Sequence, residues 1–157
     1  MKIIFCSLGK SNEPYVNAGI EDFTARINKY FSVGWQIIPP PKNAASLAEP
    51  VLKKAESQAI LQQIQPDDFL ILLDERGQQF DSIGLSKLLQ QRANDSSKRV
   101  VFLIGGAFGV DEAITKRANF SWSLSKLVFP HMLVRLILAE QVYRACTILR
   151  NEKYHHI

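Results

Sequence analysis

Hydrophobic and polar positions along this chain follow two alternating rhythms. Lys2 to Leu8 is a β-rich apolar run that stops at Gly9, the pattern of a buried strand. Ser11-Asn12-Glu13-Pro14 then starts a helix, with capping residues ahead of a proline whose missing N–H costs little there. Val16, Ile20, Phe23, Ile27 and Tyr30 recur at spacings of four and three, one apolar stripe of an amphipathic helix. Val33 to Ile38 reads as a second strand, stopped by Pro39 to Pro41. A loop from Pro39 to Ala48 leads to a helix carrying Leu52, Ala55, Ala59, Ile60 and Ile64 and ending before Pro66. Its start is open: Ser46 to Glu49 resembles a capping box, whereas Pro50 argues for a later start.

Phe69 to Leu73 is continuously apolar, as a central parallel strand buried on both faces requires. Asp74-Glu75-Arg76-Gly77 reads as a turn, and Ser82 as the cap of a helix bearing Leu85, Leu88, Leu89 and Ala93. Val100 to Ile104 is a further central strand, and Asp111 to Ala118 a short helix. Phe120, Trp122 and Leu124 alternate with Ser121, Ser123 and Ser125, so this segment is expected to be a strand with one wet or ligand-facing side. The last helix is expected from about His131 to Arg150.

Strand and helix alternate throughout, without an internal repeat. That order predicts an α/β fold: a mostly parallel sheet with helices on both faces. The 157 residues are read as one domain, 1–157, long enough to bury a core without a disulfide or metal staple. Ligands of such folds sit beyond the carboxyl ends of the strands. Here those ends are Gly9, Leu73-Asp74, Gly105-Gly106 and Leu124-Ser125.

Charge and cysteine content narrow the class only slightly. A net charge of +4 is compatible with nucleic acid without demanding it. Cys6 and Cys146 are far apart and follow no ligand spacing, as expected of free thiols in a reducing compartment. Ile3 to Leu8 is too short for a secretory signal, and Pro130, His131 and Arg135 break the late apolar stretch, which does not read as a membrane span. The expected location is the cytoplasm. Three histidines and two cysteines give no metal-site spacing, so no metal is expected.

Candidate chemistry clusters in the last third. Gly105-Gly106, with Gly109 close behind, fits a close backbone approach to a ligand or equally a tight turn. No Lys-Ser/Thr pair follows it, and the G-x-G-x-x-G spacing is absent, so it is neither a Walker loop nor a dinucleotide fingerprint. Ser123-Leu124-Ser125-Lys126 offers donors for a polar small molecule, or is a solvated strand end. His131 at a helix start is biased toward the neutral form, as a proton acceptor or a cap. Arg135, in an apolar segment, calls for an acidic partner or an anionic ligand. Glu140 and Arg144 form an ordinary i,i+4 pair. The last helix is apolar nearly all round, which points to a partner subunit. Tyr154-His155-His156 is either a frayed end or a set of groups suited to stacking on a base.

Together these residues resemble the RlmH family of ribosomal RNA methyltransferases, of the SPOUT class. The likeness spans the chain: Gly9-Lys10, Leu73-Asp74 and Ile104-Gly105-Gly106. It is densest in Ser123-Leu124-Ser125-Lys126-Leu127-Val128-Phe129-Pro130-His131, then Val134-Arg135, Glu140 to Ala145 and Tyr154-His155. The resemblance implies a SPOUT-type fold with a C-terminal trefoil knot, S-adenosylmethionine as cofactor, and a homodimer with its active site where the subunits meet. It implies methylation at N3 of pseudouridine 1915, in the helix-69 loop of 23S rRNA on the assembled ribosome. By position, cofactor contacts fall on Leu73, Gly105, Leu124, Ser125, Lys126, Leu127, Val128 and Phe129. Catalytic and substrate roles fall on His131, Arg135, Tyr154 and His155. On this reading His155 or His131 assists loss of the N3 proton, and Arg135 binds phosphate or developing negative charge. Two departures stand out: His156 where the family tail carries Lys or Arg, and Gln78 in place of a common lysine. A non-catalytic ribosome-binding factor and a phosphate-binding α/β enzyme are the rival classes.

Overall fold

The computed structural model describes residues 1–156. Its elements in chain order are β1 (Lys2–Leu8), α1 (Pro14–Ile27), β2 (Ser32–Ile38), a 3₁₀ turn (Ala44–Ser46), α2 (Glu49–Leu61), β3 (Phe69–Gln78), α3 (Ser82–Asn94), β4 (Arg99–Ile104), α4 (Glu112–Arg117), β5 (Phe120–Trp122) and α5 (His131–Leu149). The strands form one five-stranded sheet in the order β2-β1-β4-β3-β5. Every pairing is parallel. The α/β class and the alternation expected from the sequence are therefore observed.

Strand side chains point alternately to the two faces, and each face has its own core. Ile3, Phe5, Ile71, Val100 and Phe102 bury against Leu85 and Leu89 of α3 and Leu138 and Val142 of α5. Ile4, Cys6, Leu70, Leu72, Val101 and Leu103 bury against Ile60 of α2 and Ile114 of α4. Cys6 and Cys146 are both buried and free, and burial pushes each thiol up to about 12. No described helix is long and apolar enough to cross a membrane.

Three local expectations are corrected, and one open boundary is settled. β3 does not turn at Asp74: it runs to Gln78, with a register break against β5 between Leu73 and Gln78. Gly77 makes this possible, because a Cβ there would lie 2.6 Å from the backbone of Ser121. Asp81, not Ser82, caps α3, accepting from the Gly84 N–H at 2.7 Å. α2 starts at Glu49, with Pro50 inside its first turn, where proline fits. The serine-rich segment is strand only over Phe120–Trp122; Ser123 is buried rather than wet, its N–H donating to the Gln78 carbonyl at 2.9 Å.

Candidate active site

Beyond the carboxyl ends of β4 and β5, and beside the second half of β3, lies a cavity of about 550 Å³, the size range of small-molecule sites. Three stretches of backbone form its walls: Leu72 to Arg76 at the bend of β3, Ile104 to Val110 after β4, and Leu124 to His131 ahead of α5. Lys53 of α2 and Val134 of α5 complete it. Of the cofactor contacts expected from the sequence, Leu73, Gly105, Leu124, Ser125, Leu127, Val128 and Phe129 line this one cavity. Lys126 does not line it and is exposed between neighbours that do.

The loops are rigid for local reasons. The Gly109 N–H donates to the Gly106 carbonyl at 3.0 Å, closing a turn that Gly109 completes at a φ of +81°. The two adjacent glycines serve separate purposes. A Cβ on Gly105 would meet Val110 Cγ1 at 2.7 Å, and one on Gly106 would meet the Glu56 carboxylate at 2.7 Å. Both missing side chains would thus point into protein. In the other loop, the Ser123 hydroxyl donates to the Ser125 carbonyl at 2.9 Å, and the Ser125 hydroxyl accepts from the Leu127 N–H at 3.0 Å. These serines hold the loop's shape and leave Leu127 and Val128 exposed at the cavity, where Phe108 of the glycine loop is exposed too. Asp74 carries a further polar group into the cavity. The Arg76 guanidinium, 2.9 Å away, holds its carboxyl below the usual carboxylate range, against the opposing effect of burial.

His131 lines the cavity and reaches back to β1. Its Nε2 lies in short hydrogen-bond contact with the Leu8 carbonyl, which can only accept, so Nε2 carries the proton and Nδ1 is the free acceptor. Burial pushes its pKa below the ordinary histidine value, the Leu8 carbonyl opposes that shift, and the Arg135 charge adds to it. Arg135 is fully buried. Its partners are neutral oxygens: the Ser7 hydroxyl, the Lys10 carbonyl and Asn12 Oδ1, each at 2.8 Å. Of the two partners expected from the sequence, an acidic residue or an anionic ligand, no acidic residue is among its contacts; this cage of neutral oxygens ties α5 to the loop after β1.

Tyr154 and His155 lie elsewhere. The Tyr154 hydroxyl donates to Glu140 Oε1 at 3.0 Å, and its ring packs 4.6 Å from that of Tyr143. Glu140 also accepts from Arg144 and from Gln141, and Gln141 accepts from the Ser82 hydroxyl at 2.7 Å. The ordinary-looking Glu140–Arg144 pair is therefore the anchor of the tail. His155 and His156 line a second, separate depression with Asp81, Ser82, Ile83, Arg144 and Ile148. His155 Nδ1 is buried there without a hydrogen-bond partner. Glu140 follows His131 by nine residues, about 14 Å along the helix. One chain thus separates the tail from the cavity.

Sequence reasoning missed several wall residues. Asp74, Glu75 and Arg76 directly follow Leu73 in sequence, where the apolar run gives way to charged residues, which was a usable signal. Lys53 lies on α2, and only the folded topology brings it to the cavity, as it brings Glu56 to the back of Gly106. No group of three or more potential metal-ligating side chains occurs among the described residues.

Comparison with known proteins places this geometry in a family. Residues 1–155 match the family model described as "Predicted SPOUT methyltransferase". Ribosomal RNA large subunit methyltransferase H of Cytophaga hutchinsonii is 43% identical over 156 residues, covering 99% of this chain and all of that protein. The protein of the same name from Parabacteroides distasonis is 42% identical, covering 99% of each. Among solved structures, the tRNA (m1G37) methyltransferase of Aquifex aeolicus superposes with a TM-score of 0.56 at 15% identity, covering 100% of this chain and 76% of that one. That likeness speaks to the fold alone. With a parallel sheet, a cavity walled by the loops after its strands, and a match along nearly its whole length, the chain belongs to the SPOUT methyltransferase family.

Proposed function

We propose that this protein methylates N3 of a pseudouridine in the helix-69 loop of 23S rRNA, on the assembled ribosome in the cytoplasm, using S-adenosylmethionine. The observation that carries the reading is the convergence of seven resemblance-assigned positions on one cavity. The relatives named as rRNA large subunit methyltransferases match nearly end to end, which supports rRNA as the target.

The cavity suits a nucleoside-based methyl donor. Leu73, Leu127, Val128 and Val110 offer apolar surface for an aromatic base, while the backbone of both loops and Asp74 offer polar partners for its edges. When bound, S-adenosylmethionine supplies an electrophilic methyl group. The protein's part is to hold the acceptor base in line, exclude water and receive a proton; orientation of this kind supplies on the order of 7–11 kcal/mol.

N3 of pseudouridine carries a proton that must leave as the N–C bond forms. His155 is taken as the acceptor: its Nδ1 has no partner, and although Nδ1 of His131 is open too, that ring is the one whose basicity burial lowers. His131 has its Nε2 proton committed to Leu8, and burial lowers its basicity. We therefore assign His131 and Arg135 to holding the floor of the site, through Leu8 and the Lys10 loop. RNA phosphate then falls to exposed cations such as Lys126 and Arg76 at the cavity rim.

A homodimer completes the site. Within one chain the tail and the cavity stand apart, and the cavity mouth carries exposed Phe108, Leu127 and Val128. A partner subunit docking there would cover this apolar rim and bring its own Tyr154 and His155 to the cavity. The trefoil knot belongs to the same reading; that the two loops after β4 and β5 line one cavity with residues of β3 supports it.

The test is transfer of radiolabelled methyl from S-adenosylmethionine to ribosomes lacking the modification. Incorporation into the large-subunit RNA is expected. Ribosome binding without incorporation would favour a non-catalytic factor.

A further inference from the structure

Glu56 is a buried carboxylate without an assigned task. It lies on α2, one turn after Lys53, and the stripe continues to Ser57, whose hydroxyl accepts from the Asp111 N–H at 3.2 Å. The helix therefore braces the whole loop between β4 and α4. Glu56 itself is 7% exposed, and its Oε1 has no hydrogen-bond partner among the described residues. It sits against the inner side of Gly106, where a Cβ would come within 2.7 Å of one carboxylate oxygen and 2.8 Å of the other. Gly106 itself lines the cavity. A single residue's backbone is thus all that separates this carboxylate from the space beyond.

An unpaired buried carboxylate is costly, and a mere brace for the loop would be served by an apolar side chain. The cost is offset when a positive charge enters the cavity, since a low-dielectric wall transmits the attraction with little screening. Burial also holds the Glu56 carboxyl above its ordinary range, as expected for a charge awaiting a counter-charge. Lys53, on the same helix, lines the cavity and carries the wrong sign for that purpose.

We propose that Glu56 is a specificity-determining residue: its carboxylate, acting through the thin Gly106 wall, favours a cationic methyl donor over the neutral thioether left after transfer. It touches neither ligand; its field selects between them and promotes product exchange. The inference rests on the reading of the cavity as the S-adenosylmethionine site.

The test is calorimetric titration of wild type and Glu56→Gln with three probes: S-adenosylmethionine, which is a sulfonium; sinefungin, which carries an ammonium there; and S-adenosylhomocysteine, which is neutral at that atom. Glutamine keeps the shape and removes the charge. Relative to wild type, the variant should lose about fivefold to thirtyfold in preference for both cationic ligands over the neutral one, the range a single unit charge gives across a partly screened interior. Binding of the neutral ligand should stay within about twofold, which also reports an intact fold. Equal weakening of all three would make Glu56 a structural brace and overturn the proposal, as would unchanged ratios. A wild type that binds none of the three would remove the cofactor reading itself.

Discussion

The Tyr154 hydroxyl donates to Glu140 Oε1 at 3.0 Å, so the tail is pinned to the middle of α5 rather than left to fray. The bond fixes where His155 begins. Tyr154→Phe keeps the ring packing against Tyr143 and removes only this anchor. Turnover on ribosomes is expected to fall by about tenfold, a loss of roughly 1.4 kcal/mol in positioning. Cofactor affinity should stay unchanged, because the cavity lies about 14 Å along the helix. Equal loss of both would show that the tail, its own or the partner's, also shapes the cofactor cavity.

The glycine turn makes a sharper prediction than blocked access. A side chain at Gly105 would strike Val110 Cγ1, not a ligand. Gly105→Ala should therefore weaken S-adenosylmethionine binding by distorting the loop, and Val110→Ala in the same chain should recover most of it. Titration of the single and double variants checks this. Failure of Val110→Ala to rescue would mean that the position faces the ligand after all.

Gly77 is a structural position. Its Cβ would meet Ser121 backbone atoms at 2.6 Å, and backbone cannot swing aside as a side chain can. Gly77→Ala should cost about 2–3 kcal/mol through strain in the β3–β5 pairing. A midpoint shift in urea denaturation measures it, and an unchanged midpoint would contradict the tight approach.

This part of the fold also shows where the sequence ran out. Phe69 to Leu73 announced a buried strand by its unbroken apolar run. Asp74-Glu75-Arg76-Gly77 is polar enough to look like a turn, yet the strand continues, because Asp74 folds its carboxylate onto the Arg76 N–H and Gly77 slips against β5. The first is a local contact between residues two apart; the second is tertiary. The cavity's loops were legible because they follow strand ends; Glu56 was not, since nothing in a helical stripe reveals which loop it will meet. Arg135 showed the opposite limit: its burial was readable from its apolar neighbours, but its oxygen partners, on Ser7, Leu8, Lys10 and Asn12, come from residues more than a hundred positions away.

Protonation of His131 should destabilise the fold. Burial, more than the neighbouring Arg135 charge, lowers its pKa below the unfolded value of 6.5, with the Leu8 carbonyl partly opposing. As pH falls through 6.5, the unfolded chain binds a proton that the folded one does not yet take up. The stability associated with neutral His131 is therefore present above that pH and is lost on acidification toward the folded-state pKa. Denaturation midpoints between neutral and mildly acidic pH should fall more steeply for wild type than for His131→Gln. Parallel slopes would remove His131 from this linkage.

Arg135→Met tests the cage around the guanidinium. The variant leaves the Ser7 hydroxyl and the Lys10 carbonyl short of a donor, so a loss of about 2–4 kcal/mol is expected. The loop from Gly9 to Asn12 should lose hydrogen-exchange protection first. If stability held while RNA affinity fell, Arg135 would be a phosphate ligand rather than a tie between α5 and β1.

The central claim concerns where the methyl group goes. Ribosomes lacking the modification, incubated with the protein and S-adenosylmethionine, yield 23S rRNA that can be digested and sequenced by mass spectrometry. A single added methyl at N3 of a pseudouridine in the helix-69 loop is the predicted result, and a methyl group at any other nucleotide, or none, would contradict it.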